Sequence, residues 1–206
     1  MKGLILKDLL NLKSTFKMLG VMMLFFAVVF LPEGNGAIFG IIIMMFAMMV
    51  VTTISCDDLA KWDAYALTMP VTRKEMVLSK YLVMVLLNTL GAVLSLIIGI
   101  VGSFLMNQSF DLEILVIVGL VYLIAFIFGS LIIPLIYKFG TEKARLMLFL
   151  CALIPTALFL LLEQFNVPLP TTGNPWIYLI LLVACSVIGV ILSYLISLKI
   201  YTKKEF

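Results

Sequence analysis

Charged residues divide this chain into long uncharged runs: 18–32, 34–56, 81–110, 114–137, 146–162 and 164–198. A hydrocarbon core about 30 Å thick takes roughly 20 helical residues to cross, and the last five runs meet that length directly. The first reaches it by starting near Phe16, with Lys17 snorkelling to the interface, and ending at Pro32 before the Glu33-Gly34-Asn35-Gly36 turn. The last run is trimmed at its start, because residues 166–175 are rich in Pro, Thr, Gly and Asn and precede Trp176. The pattern predicts an all-α integral membrane protein in one transmembrane domain, residues 1–206, with spans at about 16–32, 37–56, 76–106, 114–137, 146–162 and 175–198.

The charges outside the runs set an orientation. Lys2, Lys7, Lys13 and Lys17 precede span one, while Lys61, Arg73, Lys74 and Lys80 lie between spans two and three. Lys138, Lys143 and Arg145 lie between four and five, and Lys199, Lys203 and Lys204 follow six. These are all 14 basic residues, and they fall on one side, whereas the opposite connections carry Glu33, Asp111, Glu113 and Glu163. The positive-inside rule then places both termini in the cytoplasm. A cleaved leader ending near residues 34–37 competes with span one, but its loss would leave five spans and put the new terminus on the wrong side.

Composition narrows the chemistry. The residues are 64% hydrophobic and 12% charged, with a mean hydropathy of +1.25, which rules out a soluble globular fold. A net charge of +3 gives no support to nucleic-acid binding. Without histidine, His-based acid–base catalysis and the commonest transition-metal ligand are both missing. Cys56, Cys151 and Cys185 are odd in number and sit in apolar surroundings, so reduced, packed thiols are expected. The runs that form the spans hold no ionisable Asp, Glu, Lys, Arg or His, unlike ion-coupled carriers. No Walker A sequence occurs, so the chain cannot hydrolyse ATP alone, and no catalytic, metal or cofactor-binding residues are expected in it.

Two polar segments carry the remaining information. In residues 2–17, Ile5, Leu9, Leu12 and Phe16 share one helical face, with Lys7, Asn11, Lys13 and Ser14 away from it; the segment is an interfacial helix, a basic flank of span one, or both. Residues 57–80 form the longest polar stretch. Leu59, Trp62, Ala66 and Met69 recur at helical spacing and Asp57–Lys61 is an i,i+4 pair, so a short amphipathic helix is expected over 58–68, ended by Pro70. Thr72-Arg73-Lys74-Glu75 has capping-box spacing and starts the next helix at about Arg73. Trp62 and Tyr65 suit either interfacial anchoring or docking of a partner, and Asp57, Asp58 and Asp63 suit helix-start or docking charges.

Within the spans, Gly91, Ser95, Gly99 and Ser103 recur every four residues, as do Cys185, Gly189, Ser193 and Ser197. Small residues let helices approach closely, so these stripes read as packing faces, or alternatively as a path; Asn88 reads as an interhelical hydrogen bond. Met44, Met45, Met48 and Met49 are adaptable filler or a binding face, and Pro134 and Pro155 are expected to kink their helices.

Two segments together resemble the membrane subunit of ABC type-2 transporters, the short six-span bacterial permeases made separately from their ATPase. They are the N-terminal Met1-Lys2-Gly3-Leu4-Ile5-Leu6-Lys7-Asp8-Leu9-Leu10 and Asp58-x-x-Lys61-Trp62-Asp63-x-Tyr65-x-Leu67-x-x-Pro70-Val71-x-Arg73-x-Glu75-x-Val77-x-x-Lys80-Tyr81. The resemblance covers essentially the whole chain. It implies an elbow helix at 1–16 and a coupling helix within 57–75, with Asp58, Lys61, Trp62, Asp63, Tyr65, Arg73, Lys74 and Glu75 facing the ATPase and Trp62 as anchor. It further implies two partner ATPase subunits that bind ATP and Mg, a second permease copy or paralogue, surrounding membrane lipid and a bacterial cytoplasmic membrane. The most similar members export amphipathic peptides of the phenol-soluble-modulin type, and bacitracin or lantibiotic resistance permeases look similar, so a peptide substrate is implied. Any extracytoplasmic cap at 163–175 must be small. The rival reading is a non-transporting immunity or sensor protein that sequesters a peptide.

Overall fold

The computed structural model describes residues 1–30, 36–66, 68–105, 112–144, 146–147 and 175–203. The helices α1 Lys2–Asn11, α2 Lys13–Phe30, α3 Ala37–Leu59, α4 Trp62–Ala66, α5 Arg73–Leu105, α6 Leu112–Phe139 and α7 Pro175–Lys203 organise them, and residues 141–144 and 146–147 are helical as well. No strand occurs among the described residues. Five of the helices, α2, α3, α5, α6 and α7, are long and apolar enough to cross a membrane. They correspond to the first four expected spans and the last; the expected span at 146–162, with Cys151 and Pro155, and the expected cap at 163–175 lie outside the described residues but for 146–147 and the end of 175.

The helices run further than the uncharged stretches. α3 continues through Asp57 and Asp58, and α5 begins seven residues before Lys80, so charged side chains are carried on the ends of the spanning helices rather than on separate loops. α1 and α2 are separated by Leu12 alone, a single turn residue that is fully buried and whose carbonyl accepts from Phe16 N–H at 2.8 Å. Ile5, Leu9, Leu12 and Phe16 all turn toward the core, as their spacing predicts.

The core is the meeting of α3, α5 and α6, with α7 laid chiefly on α6. α3 contributes Ile38, Ile42, Ile43, Phe46, Val50 and Ile54, all buried. Lipid removes most of the hydrophobic drive between helices, so close van der Waals packing decides the arrangement. Glycines make that packing possible. A Cβ on Gly91 would lie 2.9 Å from Phe46 Cβ and 3.3 Å from Ile43 Cα, and one on Gly129 would collide with Met84 Sδ. The methionines of α3 act mainly as filler: Met44, Met45 and Met49 pack partly buried against the core, while Met48 is exposed. α6 stays helical through Pro134 and ends at Gly140, whose φ of 81° is the left-handed conformation that closes a helix; its N–H bonds Ile136 C=O at 2.8 Å.

Candidate functional site

The α3–α5 connection is built from two tight turns. At the end of α3, Ala60 N–H returns to Cys56 C=O (3.0 Å) and Lys61 N–H to Asp58 C=O (3.2 Å). Lys61 takes φ 50°, a left-handed conformation uncommon for a residue with a Cβ. The continuous helix expected over 58–68 is therefore corrected to two pieces: α3 reaches Leu59, and α4 restarts at Trp62. Thr68 closes α4, its hydroxyl donating to Tyr65 C=O at 2.7 Å, and Pro70 lies in the bend that follows. The capping box then forms as its spacing predicts. Thr72 N–H and Oγ1 both donate to Glu75 Oε2 at 2.9 Å, and Glu75 N–H donates to Thr72 Oγ1 at 3.3 Å.

Beneath the connection lies a buried four-charge cluster. Lys80 Nζ donates to both Asp8 oxygens (2.9 and 2.8 Å) and to Asp57 Oδ2 (2.6 Å). Lys7 Nζ bonds the other Asp57 oxygen at 2.6 Å and lies 3.2 Å from Asp8 Oδ1. Asp8, Asp57 and Lys80 are all buried, and the cluster ties α1 to the end of α3 and the start of α5. Two positive and two negative groups interleave, which satisfies charges that would be costly to bury singly. The i,i+4 pair expected between Asp57 and Lys61 gives way to this arrangement: Asp57 turns inward to Lys7 and Lys80, and Lys61 sits exposed on the turn.

A second set of bonds reaches α7. Arg73 Nη1 donates to the carbonyls of Tyr201 (3.1 Å) and Thr202 (2.7 Å), which places a cation on the carbonyl end of the helix, where it is favoured. The Tyr201 hydroxyl meets Met76 Sδ at 3.4 Å and is hydrogen-bonded with Asp63, and its ring stands edge-on to Tyr137. Deeper in the bundle, the Tyr81 hydroxyl bonds Ser193 Oγ (2.6 Å) and Ser197 Oγ (2.9 Å), and Ser193 donates in turn to Ser130 C=O.

These contacts sort the sequence candidates. Asp63, Arg73 and Glu75 are engaged within the chain, and Trp62 is partly buried beneath Lys7, whose Nζ lies 4.4 Å from the ring centroid. Asp58, itself engaged within the chain, and Lys61, Tyr65 and Lys74 are exposed, together with Met69 and with Leu59, at 84% the most exposed large apolar side chain among the described residues. Of the stripe residues, Gly91 and Gly99 lie against Phe46 and Phe39, a Cβ on Gly189 would meet Ser130 Oγ, and Ser193 and Ser197 bond Tyr81. Ser103 bonds its own helix at Ile100 C=O, and Cys185 is exposed rather than packed. The interhelical hydrogen bond expected of Asn88 is not made: the side chain is fully buried and neither polar atom has a partner. The sequence reading missed Asp8 as a site residue, because its partner Lys80 stands 72 residues away and only the fold joins them. Its one signal was an acidic residue among lysines, on a helix face otherwise apolar.

Residues 3–202 match the family model described as ABC-2 family transporter protein. Among curated proteins and solved structures no significant match is found.

Proposed function

Since the chain belongs to the ABC-2 transporter family, as a multi-pass membrane protein, we propose that it is the permease of an ATP-driven exporter whose separate ATPase docks on the α3–α5 connection. The observation that carries the reading is the build of that connection. On it the apolar Leu59, Tyr65 and Met69 are exposed at 84%, 57% and 39%, and the same connection carries the exposed charged residues Asp58, Lys61 and Lys74, the residue types of an apolar contact with a polar rim. Behind this surface the capping box, the ion cluster and the Arg73 bonds to α7 make a stiff mount, so that a push on the connection is passed to α1, α5 and α7 together. Trp62 then braces the surface from behind through Lys7, and Leu59 with Tyr65 make the contact.

By family resemblance the assembly comprises two ATPases, which bind ATP and Mg, and two permease copies or a paralogous pair in a bacterial cytoplasmic membrane with both termini inside. Its cargo is an amphipathic or antimicrobial peptide. The test is gentle purification from native membranes with identification of what co-purifies. A stoichiometric nucleotide-binding protein is expected, bound about 30-fold more weakly by Leu59→Asp or Tyr65→Ala, which corresponds to a hot-spot loss of about 2 kcal/mol. Its repeated absence would overturn the reading in favour of a peptide-sequestering immunity or sensor protein.

A further inference from the structure

α2 packs chiefly on α3, where it buries Leu19 and Met23, and a groove runs between it and α5. The groove has a volume of about 470 Å³, within the size range of small-molecule sites. α2 lines it from Phe16 to Ala27 and α5 from Leu90 to Ile98, while α3 contributes the ring of Phe46. Every lining side chain is apolar, and at Gly20 an added Cβ would meet nothing within 4 Å. From Phe16 to Ala27 α2 rises about 16 Å, roughly half of a hydrocarbon core about 30 Å thick and so the depth of one leaflet.

Size and chemistry select the occupant. Spread over that length, the volume gives a cross-section of about 30 Å², too narrow for a helix about 10–12 Å across with its side chains but wide enough for one extended hydrocarbon chain. An extended peptide fails on chemistry, because each residue brings an N–H and a C=O and the groove offers no side chain to bond them. One edge of the groove then supplies charge. Lys13, Lys17, Gly20 and Leu24 follow at spacings of four, three and four, a single ridge of α2, so the two lysines continue that edge past the Phe16 end. Both are exposed, and neither pairs with an acid among the described residues. Two ammonium groups at the end of an apolar slot complement a phosphate whose chain lies in the slot, and most strongly one without a cation of its own.

We propose that the α2–α5 groove is a binding site for an anionic phospholipid, with one acyl chain lying along Phe46 and the phosphate held by Lys13 and Lys17. The chain supplies the van der Waals contact that α2 does not make with α5 directly, and so joins the first span to the core. With both termini inside, as proposed above, it is a lipid of the cytoplasmic leaflet. The site needs no ATPase and stands or falls apart from the transporter reading.

The test reconstitutes the full chain in phosphatidylcholine vesicles containing a trace of phosphatidylglycerol that carries a photoactivated diazirine in one acyl chain. After illumination, mass spectrometry maps the adducts. Residues 16–27 and 90–98 are expected to be labelled several-fold more than the lipid-facing side of α7 around Ile188 and Leu192, which are 55% and 54% exposed. The same diazirine on phosphatidylcholine should label the groove several-fold less. Gly20→Phe, whose ring can enter the groove without displacing protein, should abolish the groove adducts, and Lys13→Gln with Lys17→Gln should cut them several-fold. Lys199→Gln with Lys203→Gln removes equal charge from α7 and should leave them unchanged. If Gly20→Phe fails to fold, the two lysine pairs decide by themselves. Equal labelling of the groove and of α7, or groove labelling that survives the loss of Lys13 and Lys17, would overturn the site, and phosphatidylcholine adducts as strong as those of phosphatidylglycerol would overturn the anionic class. Displacement of the label by an amphipathic helical peptide would give the groove to a peptide, and Leu24→Cys chains that join as disulfide dimers with the groove unlabelled would give it to a second copy; either overturns the proposal.

Discussion

Lys80 is 6% exposed and holds three carboxylate oxygens at 2.6–2.9 Å, which makes it the hub of the buried cluster. Replacing it with Met would leave Asp8 and Asp57 buried with Lys7 as their remaining cation, and the loss of a partner from a buried ion pair costs about 3–5 kcal/mol. Lys7 differs in its surroundings. Its side chain is 22% exposed, so water can take over part of its role, and Lys7→Met should cost less than half as much. Thermal unfolding of the two variants in detergent checks the order, and equal losses would contradict it. Nothing in the local sequence marks these residues as partners: Lys7 and Lys80 read as basic flanks of spans, and Asp57 as a helix-start or docking charge paired with Lys61. A pairing that spans 72 positions is decided by how helices stack, which no local spacing encodes.

At the scale of the element, the start of α5 was legible and the end of α3 was not, for a physical reason. A capping box is a contact between positions three apart, so Thr72 and Glu75 declare it in sequence. The break at Lys61 opposes local preference, since left-handed backbone costs a residue with a Cβ about 1–2 kcal/mol, and it comes just before Trp62, which packs beneath Lys7. Opposite outcomes follow for two substitutions. Thr72→Ala should destabilise the α5 terminus by about 1 kcal/mol, read as faster hydrogen exchange at the Glu75 amide. Lys61→Gly should relieve the turn and raise the unfolding midpoint, whereas Lys61→Val, β-branched and least tolerant of this φ, should lower it.

For the molecule as a whole, five of the six expected spans were readable as helices because charge spacing limits what can sit in lipid: α2, α3, α5, α6 and α7 lie on uncharged runs and are long and apolar enough to cross a membrane. Which small residues pack was not readable, because stripes of equal regularity end differently: Gly91 is pressed against α3, while Cys185 is exposed. Gly20 of α2 offers a control, with nothing within 4 Å of an added Cβ. Gly91→Ala should force α5 from Phe46 and Ile43 and lower the unfolding midpoint, while Gly20→Ala, freed of a helix-weakening glycine, should hold or raise it by up to about 1 kcal/mol.

The ion cluster has an electrical consequence for the working protein. Lys7, Lys80, Asp8 and Asp57 sum to zero, so the cluster itself adds no net charge to any movement of the ends of α1, α3 and α5 that it links. A voltage acts on a moving elementary charge by about 2.3 kcal/mol per 100 mV, and on this neutral knot by almost nothing. Under the proposed docking, the cluster therefore adds no voltage dependence of its own to a movement of the connection.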